Sequence, residues 1–268
     1  TQYYAGLDAT FNFDLSNALI KAVRDNGGAY TTVINRIYRE IEKNGGSIAY
    51  DAPFLRNHDM NRTATELNGD LDKQKLAAEM LLTLPGTPYI YYGEEIGMYG
   101  ANTDGTLNVY DETRRLPFVW GDDRIQTRWM DEKCASLGRV LNWDPCHQPI
   151  APARKQIEDE NSLYHVYKTM IQLRKDNPAL RSDTFIIFDD PNYYKLTLQG
   201  FYRYSDEQLL LVLHNLGSSE EELPPFENAK LIYESKRANA YERGKIAPKT
   251  TIILELPYRI LETLRPEK

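Results

Sequence analysis

The stretch "IAYDAPFLRNHD", Ile48 to Asp59, decides how the chain is read. It starts as a buried strand and ends, not in glycine or proline, but in Asn57, His58 and Asp59 side by side. Toward the amino terminus, "GLDATFNFDL" reads as a strand with its loop, and "LSNALIKAVRD" places Leu15, Ala18, Leu19 and Ala22 at helical spacing. "YTTVINRIYREIEKNG" puts Val33, Ile37 and Ile41 on one helical face before Gly45 and Gly46 supply a carboxyl cap. On the other side, Asp70 or Asp72 opens the helix "LDKQKLAAEMLLTL", Pro85 and Gly86 stop it, and "TPYIYYG" follows as an apolar strand. Strand and helix alternating in this order predict an α/β fold of parallel βα units.

From Tyr99 to about Glu160 the pattern breaks into a long irregular region rich in Asp, Arg, Trp and Pro, a loop length that in a compact protein signals function. "SLYHVYKTMIQLRKDNPAL" returns to helix, with Leu163, Val166, Met170, Ile171 and Leu173 on one side and its end near Pro178. Beyond Arg181, "TFIIFDD", "YYKLTLQGFYRYS", "QLLLVLHNLGS", "AKLIYES" and "TTIILELP" are short β-runs separated by turn residues. The predicted division is therefore residues 1–181, with strands and helices and the 99–160 loop, and residues 182–268, an antiparallel β domain. There is no internal repeat and no low-complexity segment.

At 268 residues the chain suits one large domain or one large and one small, and 41% hydrophobic with 26% charged residues is ordinary for a folded protein. A net charge of −7, with no basic tract longer than Lys236–Arg237, argues against a nucleic-acid partner. No apolar stretch approaches the roughly 20 residues of a membrane span. The chain opens on Thr1 without a charged leader and apolar region, consistent with removal of a true amino terminus, and the compartment, secreted or cytoplasmic, stays open. Cys134 and Cys146, the latter followed by His147, support neither a disulfide framework nor a zinc site; they read as two thiols or one disulfide. The 19 tyrosines, against 8 phenylalanines and 3 tryptophans, offer apolar faces with polar tips, suited in part to packing on sugar rings and in larger part to cores and sheet edges.

In α/β barrels, polar residues clustered where a parallel strand hands over to its loop line the active face, and Asn57, His58 and Asp59 hold that position. The competing reading of the same residues is a turn made by Asn57 and Asp59, with His58 bonded to a buried backbone group. Glu94 and Glu95, after Gly93, form a second acidic pair at a strand end and read as loop structure. Asp8 and Asp14 read as solvated loop or capping residues, Tyr91 and Tyr92 as strand packing, and His147, His165 and His214 as surface or core. Arg62 either reaches a substrate or pairs with an acid.

"FLRNHD", Phe54 to Asp59, resembles the fourth conserved region of the α-amylase family of glycoside hydrolases. "LDATFNFDLS" resembles that family's sixth-strand segment, "LLTLPGTPYIYYGEEIGM" its helix, eighth strand and Gly-Glu-Glu segment, and "DETRRLPFVW" its loop with an Arg-x-Pro pattern closing in Trp. "MIQLRKDNPAL" resembles the final barrel helix, and the matches run in family order over essentially the whole chain. The resemblance implies the carboxyl-terminal portion of a TIM (β/α)8 barrel, strands six to eight, followed by an antiparallel β-sandwich. It further implies a retaining mechanism on α-1,4-linked glucans such as starch and maltooligosaccharides. By carry-over Asp59 is the third catalytic carboxylate and His58 hydrogen-bonds the same sugar; Asn57 and Arg62 stand on the substrate-binding side, Asn57 by orienting its neighbours. Arg114, Arg115 and Trp120 brace the long loop rather than bind sugar.

The chain departs from the family pattern as well. The motifs bearing the nucleophile and the acid/base carboxyl find no match, nor does the first-region histidine or the domain inserted after strand three with its calcium ligands. No cofactor or metal site is therefore expected in this chain; calcium is an option only for the complete protein, and the sequence does not fix its use. Three barrel strands leave unpaired edges, so the expected partner is the amino-terminal part of the same protein, with the fragment inactive alone. Glucosyl transfer or isomerisation is the alternative within the family. A non-catalytic relative is the third reading, against which the intact Asn-His-Asp trio argues.

Overall fold

A short parallel pairing starts the fold: β1 (Thr10–Phe11) lies beside β2 (Asp51–Ala52), Thr10 opposite Asp51 and Phe11 opposite Ala52. Phe54 makes a further parallel bridge to Tyr89. Three segments thus run in parallel as the alternation predicts, but as stubs. Ile48–Tyr50 forms a 3-10 turn, and the run after Tyr89 is not strand. Pro53 and Pro88 explain the shortness, because each lacks the N–H a longer ladder needs. The computed structural model describes residues 7, 9–102, 111–121, 148–236, 240–242 and 244–264; Asp8, Cys134, Cys146 and His147 lie outside them.

Asn12 ties β2 to α1 (Phe13–Arg24). Its Oδ1 accepts from the Leu15 N–H at 3.0 Å as a helix cap, and its Nδ2 donates to both Asp51 oxygens at 3.1 Å. Burial pushes the Asp51 carboxyl up to about 6, against the pull of those bonds. In α2 (Tyr30–Lys43) the buried face is Tyr30, Ile34, Tyr38 and Ile41, which corrects the expected stripe of Val33, Ile37 and Ile41. Counting aliphatic residues alone rotated the stripe, since two tyrosines supply half of it. The helix closes as expected, with Gly46 N–H on the Ile41 carbonyl at 2.9 Å. Asp70 opens α3 (Leu71–Thr83) by accepting from Lys73 N–H at 3.1 Å. After Pro85 the chain passes against β2 at Gly86, where φ is +83° and a Cβ would lie 2.6 Å from the Asp51 carbonyl oxygen, so only glycine fits. A fourth long helix, α4 (Leu163–Asp176), buries Leu163, Val166, Tyr167 and Met170.

The β-runs after residue 181 form the strands expected of them. β3 (Phe185–Ile187), β4 (Leu198–Tyr204), β5 (Leu209–Asn215), β7 (Lys230–Glu234) and β10 (Thr250–Leu256) make an antiparallel sheet of order β3-β4-β5-β10-β7. β6 (Glu221–Glu222), β8 (Tyr241–Glu242) and β9 (Lys245–Ile246), too short to read from periodicity, pair as β6-β9-β8. Leu209, Leu211, Leu213, Ile252 and Leu254 share an apolar cluster with Leu223 and Ile246, so the two sheets have one core. The opposite face of the larger sheet meets the early helices. Thr31 Oγ1 donates to Gln199 Oε1 at 2.8 Å, the Tyr38 ring packs edge-on to Phe185 at 5.2 Å, and Glu79 of α3 accepts from Tyr233 at 2.7 Å and Ser235 at 2.8 Å. Covered on both faces, β5 reads "LLLVLHN" without alternation. His214 on that strand is buried between Thr83 and Thr251, and burial pushes its imidazole down to about 3: a core residue.

Contacts therefore cross residue 181. The chain forms two compact units, one of Thr1–Phe54, Leu76–Tyr89 and Met170–Lys268, the other of Leu55–Lys75 and Ile90–Thr169. The second unit has its own cluster of Ile96, Met98, Leu116, Val119 and Ala153, and its described part includes the helix Ala153–Glu158. No helix among the described residues is long and apolar enough to cross a membrane.

Candidate active site

Asn57, His58, Asp59 and Arg62 all belong to the second unit. Asn57 Oδ1 accepts from the Asp59 N–H at 3.0 Å, a side-chain turn that fixes the backbone carrying the next two side chains. His58 and Asp59 are 58% and 60% exposed, with His58 Nε2 3.4 Å from Asp59 Oδ2. The turn half of the competing reading holds, and the His58 ring is exposed beside Asp59 rather than buried.

A strap of residues 111–116 grips this turn. Arg115 Nη2 donates to Asp59 Oδ1 at 2.9 Å and to Asp111 Oδ2 at 3.0 Å, while its Nε donates to the His58 carbonyl at 3.2 Å. Arg114 donates to the Asp59 carbonyl and to Asp111 Oδ1. Bracing is the role the sequence assigned to both arginines, and what they brace is the turn carrying His58 and Asp59.

Arg62 requires a correction. Expected to reach a substrate or to pair with an acid, it is 2% exposed, with Nε donating to the Arg114 carbonyl at 2.9 Å and Nη1 to the Tyr92 carbonyl at 2.6 Å. Its guanidinium lies 4.5 Å from the Tyr91 ring centroid and 4.7 Å from that of Tyr92. A flat, weakly hydrated cation stacks on aromatic faces while filling backbone acceptors, so burial suits Arg where it would not suit Lys. Burial lowers its pKa, partly offset by the two tyrosines and Glu94. Tyr91 and Tyr92 are accordingly more than strand packing: their hydroxyls donate to the Arg114 carbonyl at 3.1 Å and the Leu116 carbonyl at 2.8 Å, fastening the strap. Gly93 permits this, since with φ at +83° a Cβ there would fall 2.4 Å from Met98 Sδ and 3.1 Å from Arg62 Nη1.

Glu94 is loop structure, as the sequence indicates. It is 6% exposed and accepts from Thr63 Oγ1 at 2.8 Å and Tyr167 OH at 2.9 Å. Burial pushes its carboxyl up to about 7, against those two bonds and with Glu95 adding to the rise. Trp120 is 72% exposed and rests its ring on Phe118 at 4.4 Å between centroids. Among the described residues no group of three or more His, Cys, Asp or Glu is placed to hold a metal ion.

Two participants escaped the sequence reading. Asp111 stands four residues before Arg115, a spacing at which opposite charges meet, and that signal was available. The stacking of Arg62 on Tyr91 and Tyr92 has no local signature. Chemically, an open carboxylate with an imidazole beside it can hold neighbouring hydroxyls and face developing positive charge.

The family model described as Alpha amylase, catalytic domain, matches residues 1–183. The chain is 33% identical over 227 residues to Alpha-amylase SusG of Bacteroides thetaiotaomicron, covering 83% of this chain and 30% of that protein. It is 30% identical over 266 residues to Alpha-amylase 3 of Dictyoglomus thermophilum, covering 96% and 48%. Among solved structures it is similar to an alpha-amylase from H. orenii, with a TM-score of 0.76 and 30% identity over 95% of this chain and 50% of that one. The chain spans half the length of these relatives or less. With the conserved segments in order, the family model over two thirds of its residues and the fold of a solved amylase, this chain belongs to the α-amylase family of glycoside hydrolases.

Proposed function

We propose that this chain is the carboxyl-terminal part of a retaining enzyme acting on α-1,4-linked glucans, contributing Asp59 as the transition-state-stabilising carboxylate and His58 as its companion in gripping the sugar. The observation that carries the reading is the exposed Asp59–His58 pair held by Arg115. In a retaining mechanism the ring passes through an oxocarbenium-like state flanked by a nucleophilic carboxylate and an acid/base carboxyl. Asp59 takes the third place: its carboxylate accepts from ring hydroxyls whose hydrogen bonds strengthen as positive charge builds, and His58 fixes the same ring from its other nitrogen. The nucleophile and the acid/base come, in this proposal, from the amino-terminal part of the same protein, which closes the barrel and followed by the β-sandwich completes the fold. Residues of this chain hold no metal in the scheme.

Asp59→Asn in the full-length protein tests it. Turnover of a maltooligosaccharide should fall about 10³-fold or more with the thermal transition kept, and near-normal turnover with an intact fold would refute the assignment. Product analysis settles the branch: shorter sugars alone mean hydrolysis, longer or rearranged ones transfer or isomerisation.

A further inference from the structure

Arg62 gives its two bonded nitrogens to carbonyls, not to the acids beside it. Among the described residues Arg62 Nη2 and Glu95 Oε2 are both shut off from water without a hydrogen-bond partner. Glu94 meets only neutral donors, Thr63 Oγ1 at 2.8 Å and Tyr167 OH at 2.9 Å. The guanidinium lies against Gly93, where a Cβ would fall 3.1 Å from Nη1, so the cation stands one residue from the acid pair. One buried cation cannot balance two buried acids that are both ionised. We infer that Arg62 is a latch on the strap of residues 111–116, closed while the Glu94–Glu95 pair keeps a proton and released when that proton leaves.

With the proton in place, Arg62 holds the Arg114 carbonyl at 2.9 Å and the Tyr92 carbonyl at 2.6 Å. A second negative charge in the pair changes the competition, because a carboxylate is a stronger acceptor than a carbonyl and Nη2 is free to donate. Drawing the guanidinium toward the acids strips both carbonyls. The strap then keeps the Tyr91 and Tyr92 hydroxyls and its grip on the turn of His58 and Asp59, but loses its buried anchor. Burial, with a smaller push from Glu95, holds Glu94 up at about 7 against the pull of Thr63, Tyr167 and Arg62. Burial raises Glu95 too, against Arg62. The raised Glu94 keeps its proton below about pH 7 and loses it above, so the latch opens on the alkaline side. Tyr91 and Tyr92 are the titratable groups stacked on the guanidinium, and burial pushes Tyr91 up to about 12, outside this range. The alternative is a buried acid whose ionisation weakens the whole unit alike, and the two differ in where protection is lost.

Hydrogen exchange of residues 111–116 in the full-length protein tests the latch without any assay of turnover. Protection there should fall about 10-fold or more between about pH 5.5 and about pH 8.5, while the helix Ala153–Glu158 of the same unit keeps its protection. Glu94→Gln should hold the acid-side protection throughout. Glu95→Gln should move the midpoint to lower pH and Tyr167→Phe to higher, since the first removes a charge that raises Glu94 and the second a donor that lowers it. Those two conservative variants decide the matter should Glu94→Gln not fold. An exchange step that survives Glu94→Gln, midpoints that ignore Glu95 and Tyr167, or equal loss of protection in Ala153–Glu158 overturns the inference. With a maltooligosaccharide, kcat/KM of Glu94→Gln over that of the parent should be near 1 at about pH 5.5 and about fivefold or more at about pH 8.5, because groups titrating alike in both proteins cancel. Only this ratio rests on the proposed role of Asp59: a flat ratio beside the exchange step supports the latch and counts against that role.

Discussion

Asp59 and Glu94 are two carboxylates of one unit, each just past an apolar run, in opposite surroundings. Glu94 is buried, with the hydroxyls of Thr63 and Tyr167 on its oxygens. Asp59 is open to solvent and held by a guanidinium and an imidazole. Burial keeps the Glu94 carboxyl protonated toward neutral pH even though the two hydroxyls pull the other way, and a neutral carboxyl suits packing. A carboxylate in water, fixed from one side by an arginine, keeps its other side for a ligand. What distinguishes a structural from a candidate catalytic acid here is the company it keeps, not its place at the end of a run.

The sharpest way to break this contrast is through the base of the strap. Arg62→Leu removes two charge-assisted hydrogen bonds to carbonyls, each worth about 2 kcal/mol, so urea unfolding should show a loss of about 4 kcal/mol. A change below about 1 kcal/mol would mean the strap stands without Arg62.

Glu94→Gln tests the other acid, and here the sign matters. The folded state holds the Glu94 proton up to about pH 7 against 4.5 for the free group, so the stability it brings is complete below 4.5 and lost as pH rises through 7. Glutamine has no proton to lose. The variant should therefore gain on the parent by roughly 3 kcal/mol between pH 4 and pH 8. Unfolding curves at the two pH values check this, and a stability difference that ignores pH would place Glu94 in water rather than in the core.

Smallest is Trp120→Ala. A ring 72% exposed and resting on Phe118 should matter by no more than about 0.5 kcal/mol to the thermal transition. A loss above about 1.5 kcal/mol would show the indole to be a lid on the apolar cluster beneath it.

Much of this was legible beforehand. The order of strand and helix, the Asp70 cap and the carboxyl cap after Ile41, and the five longer β-runs are all visible in local pattern. So is the trio itself, once its segment is set beside the conserved regions of the family. The stripe of α2 was misplaced because tyrosine was not counted as apolar, and the strand after Pro88 was overextended because a run of apolar residues does not reveal how few N–H groups have a partner.

By itself, then, the sequence determined the alternation of elements, where most of them start and stop, and which residues stand at the turn, since capping and periodicity act over a few neighbouring positions. Only the tertiary structure decided that Arg62 turns inward, that Glu94 is shielded, and that Arg115 holds Asp59. Arg62 meets Tyr92 and Arg114 at separations of 30 and 52 residues, and Arg115 meets Asp59 at 56. Partners so far apart are brought together by packing alone, and packing leaves no periodic trace in the order of the residues.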